Sequence, residues 1–304
     1  MGIITSQKIS WYYNQYQVKD ITISREIAKA LCLDLRQILV KWGDAQWPCI
    51  INTTSLSQAK IIIGTNSGAY THLVKEKGNA NLRFYFEREK GQVISFFVAS
   101  KVINVAPYGD SEGLVIVTLQ FTQRPPDDLI AILGEFIEAN VNFVSRKDER
   151  ITLTPDIKRK LGLSKDETVI LIQGVPRHCI VRDISFCGAR VILLGLKKFL
   201  MDKEVLLRFE FEDSDSSCDL NGVITDVELV QDRRDISVAV IHFVEKTVPM
   251  FYKQKINSYI TTIKRSIPLP NAAALTPPTT ATPTPPNTAE PSPTAPAAPE
   301  APEQ

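Results

Sequence analysis

Histidine, methionine and tryptophan each occur only three times in this 304-residue chain. His72, His178 and His242 are too few and too far apart in the chain to suggest a metal centre. HExxH, GxxxxGK[ST] and GxSxG are all absent, which removes the common signatures of zinc hydrolases, P-loop nucleotidases and serine hydrolases. No apolar run approaches the roughly 18–20 residues that a membrane span needs. Net charge is also nearly missing, with 35 Lys+Arg against 34 Asp+Glu. Such a balance excludes a protein whose binding is mainly nonspecific attraction to polyanions. The five cysteines, Cys32, Cys49, Cys179, Cys187 and Cys218, are odd in number and contain no CxxC. Neither a disulfide framework nor a zinc knuckle is expected, only free thiols. MGIITSQKIS lacks the charged start and long apolar stretch of a signal peptide, so a cytoplasmic location is expected.

What is present divides the chain. Twelve of the 19 prolines lie between Pro268 and the end, among threonines and alanines. That composition cannot bury enough surface to offset its ordering entropy, so residues 266–304 are expected to be disordered. Setting aside their three glutamates raises the net charge of residues 1–265 from +1 to +4, mildly suited to an anionic ligand. Arg124-Pro125-Pro126-Asp127-Asp128 reads as a helix start, with both aspartates at the positive end of the dipole. Leu129, Ile130, Leu133, Phe136 and Ile137 continue it at helical spacing to about Ala139. VNFVSRKDER follows as a short, flexible basic connector, and a short helix opens at Thr154-Pro155.

Residues 1–140 are read as a mixed α/β domain. Strands are expected at Gln46–Thr54, Lys60–Thr65, Asn81–Glu87, Gln92–Val105 and Gly113–Thr122. A helix capped by Ser24 and a short one at Ala69–Glu76 accompany them. Residues 141–265 are read as a second domain. Six strand-like runs, from Thr168–Gly174 to Ile236–Val244, lie close together and suggest a small antiparallel barrel. A closing helix at Val248–Lys264 presents Val248, Tyr252, Ile256, Tyr259 and Ile263 on one face. The fold class is therefore mainly β with flanking helices, α+β. Trp11, Trp42 and Trp47 are expected in the core.

Two short motifs carry the chemistry. The first is the RxxxR of Arg146-Lys147-Asp148-Glu149-Arg150. The second is the DxSxxG of Asp183-Ile184-Ser185-Phe186-Cys187-Gly188. Each alone is weak, since arginines four apart are usually solvated and DxSxxG is usually a turn. Together, one entering a barrel and the other in its strand–turn–strand, they resemble the PilZ family of cyclic-di-GMP receptors over about Val141–Lys264. RPPDDLIAILGEFIEANVNFVSRKDERITLTPDIKRKLGL resembles the junction of two-domain PilZ proteins such as those of spirochaetes, which carry a PilZN-type domain first.

The resemblance implies a six-stranded antiparallel PilZ barrel with a closing helix, preceded by a PilZN-like domain. It also implies a receptor, not an enzyme, whose ligand is cyclic-di-GMP and which needs no cofactor or metal. Guanidinium groups suit that ligand: they donate in parallel to guanine O6 and N7, stack on the base, and pair with phosphate. Arg146 and Arg150 are thus expected to close over it, Asp183 to accept from guanine N1 and N2, and Ser185 to offer a hydroxyl. Gly188 is expected to permit close backbone approach and a turn conformation closed to residues with a Cβ. Lys147, Arg182 and Arg190 form a second rank of candidates, and Arg177 is a weaker one. Ser145, before the first arginine, does not choose between one bound nucleotide and a stacked pair.

The expected output is a changed interdomain arrangement read by an unidentified flagellar or signalling protein, in motility or virulence. Nucleic acid is not an expected partner. The alternative is a ligand-independent PilZ-like interaction module, against which both motifs argue by being complete. A chain ending at Arg265 is expected to keep the melting temperature of the full chain, measured by calorimetry. A fall of more than a few degrees would show that the tail packs.

Overall fold

The computed structural model describes residues 4–75, 79–87, 91–163, 167–212, 217–230 and 233–263. The Pro/Thr/Ala-rich tail expected at 266–304 lies outside them.

Helix α1 (Ser6–Tyr16) starts where Thr5 accepts a hydrogen bond from the Lys8 amide. Sequence reading placed no helix here, because the stripe it buries is made of tyrosines. Strand β1 (Ile21–Thr22) and helix α2 (Arg25–Leu31) follow, and Cys32 in the left-handed conformation ends α2. Strands β2 (Leu39–Trp42), β3 (Ala45–Pro48), β4 (Ile50–Thr54) and β5 (Gln58–Gly64) come next. The single run expected over Gln46–Thr54 is thus two strands, and they pair with different neighbours. After the short α3 (Gly68–Tyr70) come β6 (Asn79–Glu87), β7 (Val93–Tyr108) and β8 (Ser111–Phe121). All are antiparallel in one open sheet of order β1-β4-β5-β8-β7-β6-β2-β3. Its core gathers Tyr12, Ile38, Leu56, Ile61, Leu82 and Phe84 against Leu129, Ile130 and Leu133.

Those last three residues lie on helix α4 (Asp127–Ser145), which begins at Asp127 as its proline and aspartate signals predict. It does not stop near Ala139. Phe143 continues the apolar face and is buried in a second core, packed edge-on against Phe186 at 6.0 Å. The helix therefore runs six residues further than expected, and only Arg146–Arg150 is left as connector. A boundary at residue 140 falls inside a continuous helix.

The second core belongs to a closed barrel. Strands β9 (Ile151–Thr152), β10 (Glu167–Ile172), β11 (Val175–Ile184), β12 (Gly188–Leu194), β13 (Glu204–Phe209), β14 (Cys218–Val230) and β15 (Arg233–Phe243) supply it. The order β10-β13-β14-β15-β12-β11 closes because β10 also pairs with β11, and β9 extends β11 at one end. Helices α5 (Pro155–Leu161) and α6 (Lys197–Leu200) fill two connections. Helix α7 (Met250–Ser258), continued by a wider turn over Tyr259–Ile263, closes the barrel. Val248, Tyr252, Ile256 and Tyr259 are buried, as their spacing predicts. The tryptophans differ from expectation. Trp11 is 44 % exposed. Trp42 and Trp47 are half-buried and stack on His72.

Gly134, in the middle of α4, explains how α1 comes so close. A Cβ there would lie 2.4 Å from the Tyr12 ring, so the helix accepts a residue of poor helix propensity. Gly134→Ala gains about 1 kcal/mol of helix propensity but must displace a fully buried aromatic ring, which typically costs more. The net expectation is a lower melting temperature, by several degrees, in thermal unfolding of the full chain.

Candidate functional site

The site is assembled where α4 ends. Arg146 leaves helical geometry at φ −127, while its amide still donates to Asn142 O at 2.8 Å. The Glu149 amide then donates to Arg146 O at 3.0 Å, making a turn. Directly after Arg150, β9 pairs with β11 so that Thr152 faces Asp183 and Ile151 faces Ile184. This register delivers the RxxxR segment to the DxSxxG segment.

Asp183 is at the centre, with only 2 % of its surface exposed. Its Oδ1 accepts from Arg150 Nη1 and its Oδ2 from Arg190 Nε, both at 2.6 Å. Arg190 is the cross-strand neighbour of Asp183, beside a bulge in β11. One buried carboxylate thus holds two half-exposed guanidinium groups, and the cluster keeps a net positive charge. Removing the carboxylate would leave two neighbouring cations uncompensated, but both are partly solvated, so the cost falls below the about 3–5 kcal/mol of a fully buried pair.

Arg146 is held far more loosely. Its guanidinium is 39 % exposed and lies 3.7 Å from Glu149 Oε2. Exposed pairs of this kind contribute about 0–1 kcal/mol, so the side chain is readily redirected. Lys147 pairs with Glu245 at 3.0 Å, and that carboxylate raises the ammonium pKa above its ordinary value.

The DxSxxG segment turns inward. The Ser185 amide and hydroxyl both donate to Gly188 O, at 2.8 and 3.3 Å, so the hydroxyl is engaged inside its own turn. The Ser185 carbonyl accepts from the Tyr252 hydroxyl at 2.7 Å. Gly188 has no left-handed backbone, so the special turn conformation expected of it is corrected, whereas close backbone approach is what the glycine provides. A Cβ there would lie 2.4 Å from Ile241 O on β15. The residue is needed for close strand approach within the barrel wall.

The structure brings together Arg150, Asp183 and Arg190, with Arg146 and Lys147 on the adjoining turn. Arg182 is exposed, and Asp183 bonds its cross-strand neighbour instead. Arg177 donates to Leu194 O at 3.4 Å, at the far end of β11. Two residues were missed. The Cys187 thiol donates to Lys147 O at 3.0 Å and lies 3.5 Å from Asp148 Oδ1, fastening one motif to the other. Burial raises its pKa, so it stays a protonated donor. Tyr252 is the other, and its burial on the barrel face of α7 was the available signal. Among the described residues no group of three His, Cys, Asp or Glu could hold a metal.

Gly188→Val is expected to unfold the barrel rather than merely weaken a ligand, because backbone on β15 must move. Circular dichroism should show a melting temperature lower by ten degrees or more. An unchanged melting temperature would restore a purely local role for the glycine.

A family model described as the PilZN3 domain matches residues 7–140. A Treponema denticola protein named "Cyclic di-GMP binding protein" is 40 % identical over 267 residues, covering 87 % of this chain and 85 % of its own. Among solved structures, Borreliella burgdorferi PlzA in complex with c-di-GMP is 22 % identical, covering 84 % of this chain and 98 % of its own, with a TM-score of 0.38. Escherichia coli YcgR in complex with c-di-GMP is 13 % identical, covering 79 % and 87 %, with a TM-score of 0.26. The extent and identity of the Treponema match decide the matter: the chain belongs to the PilZ family of that protein, with a PilZN3 domain ahead of the barrel.

Proposed function

We propose that this protein is a receptor for cyclic-di-GMP and not an enzyme. The observation that carries the reading is the 40 % identity to a protein named for binding that dinucleotide. The Arg150–Asp183–Arg190 cluster supports it chemically. Asp183 holds Arg150 before ligand arrives, so little side-chain entropy remains to be lost on binding. Arg146 has only a long, exposed contact to give up. Both guanidinium groups can then meet a phosphate or the O6/N7 edge of guanine in the fork geometry that an ammonium lacks.

The same reading divides the chain into a domain at 1–140, a ligand-binding domain at 141–265 and a tail. Ligand gripping the Arg146–Arg150 turn against β11 acts at the end of α4, which reaches both cores. A ligand shifts this joint only as far as it binds one arrangement better than another. A protein partner then reads the changed arrangement, with motility as the first process to test. Among the described residues no helix is long and apolar enough to cross a membrane.

Isothermal titration of the full chain with cyclic-di-GMP should give micromolar or tighter binding, while cyclic-di-AMP and GTP bind at least tenfold more weakly. Arg146→Ala and Arg150→Ala should each weaken binding roughly ten- to hundredfold, the value of about 1–3 kcal/mol for a bidentate contact. Arg150→Lys should not restore it. Binding like the original by the double alanine variant would overturn the proposal.

A further inference from the structure

A second buried carboxylate lies outside the candidate site. Glu138, on α4, is only 5 % exposed, and its Oε2 is shared by three donors. They are Tyr12 Oη at 3.0 Å from α1, Lys8 Nζ at 3.3 Å from α1, and Asn257 Nδ2 at 3.1 Å from α7. Asn257 Oδ1 in turn accepts from Asn142 Nδ2 at 2.6 Å, back on α4. Three helices from distant parts of the chain therefore meet on one oxygen. Burial and the Glu138 charge raise the Tyr12 phenol well above its ordinary pKa, so it remains a donor.

Asn257 shares α7 with Tyr252, whose hydroxyl holds the Ser185 carbonyl at 2.7 Å. They are five positions apart, which is about 7.5 Å along a helix and about 140° around it. One side of α7 is thus bonded to the DxSxxG loop, and another side to Glu138 and, through it, to α1. A hydrogen-bonded helix is stiff over less than two turns, so displacement at one end is transmitted to the other. Buried polar groups also have no water to accept in a partner's place, which makes each link costly to lose.

We infer that α7 is a positioning element that couples the Asp183–Gly188 loop to the N-terminal helix α1, through Tyr252 at one end and Asn257–Glu138 at the other. Its functional meaning rests on that loop belonging to the ligand site, but the coupling itself belongs to the ligand-free protein. The connector Arg146–Arg150 and the packing of Phe143 on α4 against Phe186 already join the barrel to the N-terminal domain, and α7 adds a further route.

Hydrogen exchange of the full chain without nucleotide separates this inference from the proposed function. Tyr252→Phe removes one hydroxyl at the barrel end, and Asn257→Ala removes the link at the other. Tyr252→Phe should speed exchange about tenfold in Ser6–Tyr16 as well as at the Ser185 amide. Asn257→Ala should speed exchange at the Ser185 amide as well as in Ser6–Tyr16. Strands Gln58–Gly64 and Glu204–Phe209 should stay within twofold of the original. Effects confined to each variant's own end would overturn the coupling. So would an equal rise in every strand, which reports lost global stability alone. Tyr12→Phe, a milder change at the far end, should reproduce the Asn257→Ala pattern at smaller size, and no effect at Ser185 would count against the inference.

Discussion

The site depends on one carboxylate with almost no access to water. A carboxyl group buried in the barrel wall needs hydrogen-bond partners, and the two oxygens of Asp183 are each given to an arginine. That requirement fixes much else. Arg190 must sit across the strand pair, which the β11 bulge arranges. Arg150 must arrive from the connector, which the two-residue strand β9 arranges by pairing beside Asp183. The site's cations are therefore positioned by a buried charge that itself faces little solvent.

Helix α4 supplies the second constraint. Its first turns belong to one core and Phe143 to the other, so the chain passes from sheet to barrel through a rigid rod. The five-residue turn at its end is the short stretch where direction can change. Even this turn is tied down, by the Cys187 thiol on Lys147 O and by Lys147 on Glu245. The joint thus combines these modest bonds with the short Arg150–Asp183 pair at its far end.

Much of this was legible in the sequence, for identifiable reasons. Strand runs such as Asn81–Glu87 and Ala189–Leu194 were visible because alternation is local, and the start of α4 because proline and aspartate act locally. RxxxR and DxSxxG, each weak alone, could be singled out because the pair and its order resemble the PilZ family. What escaped depends on register or on distant backbone. The pairing of Asp183 with Arg190 follows from which residues face each other across a bulge. The need for Gly188 comes from Ile241 O, over fifty residues away in the chain. The Cys187 acceptor is a main-chain carbonyl, which leaves no mark in residue identity. Helix α1 escaped because Tyr12 and Tyr16 read as half-polar, though they form its buried side.

The two sheets also differ in what they leave open. The six barrel strands pair on both sides, because β10 returns to β11. The N-terminal sheet has two free margins, and both are blunt. One is the two-residue β1, and the other is β3, which is four residues long and ends in Pro48, a residue with no amide hydrogen to offer. Neither margin provides the long flat template on which a second chain could add strands. Among the described residues, the margins of this sheet thus disfavour edge-to-edge pairing with a second chain.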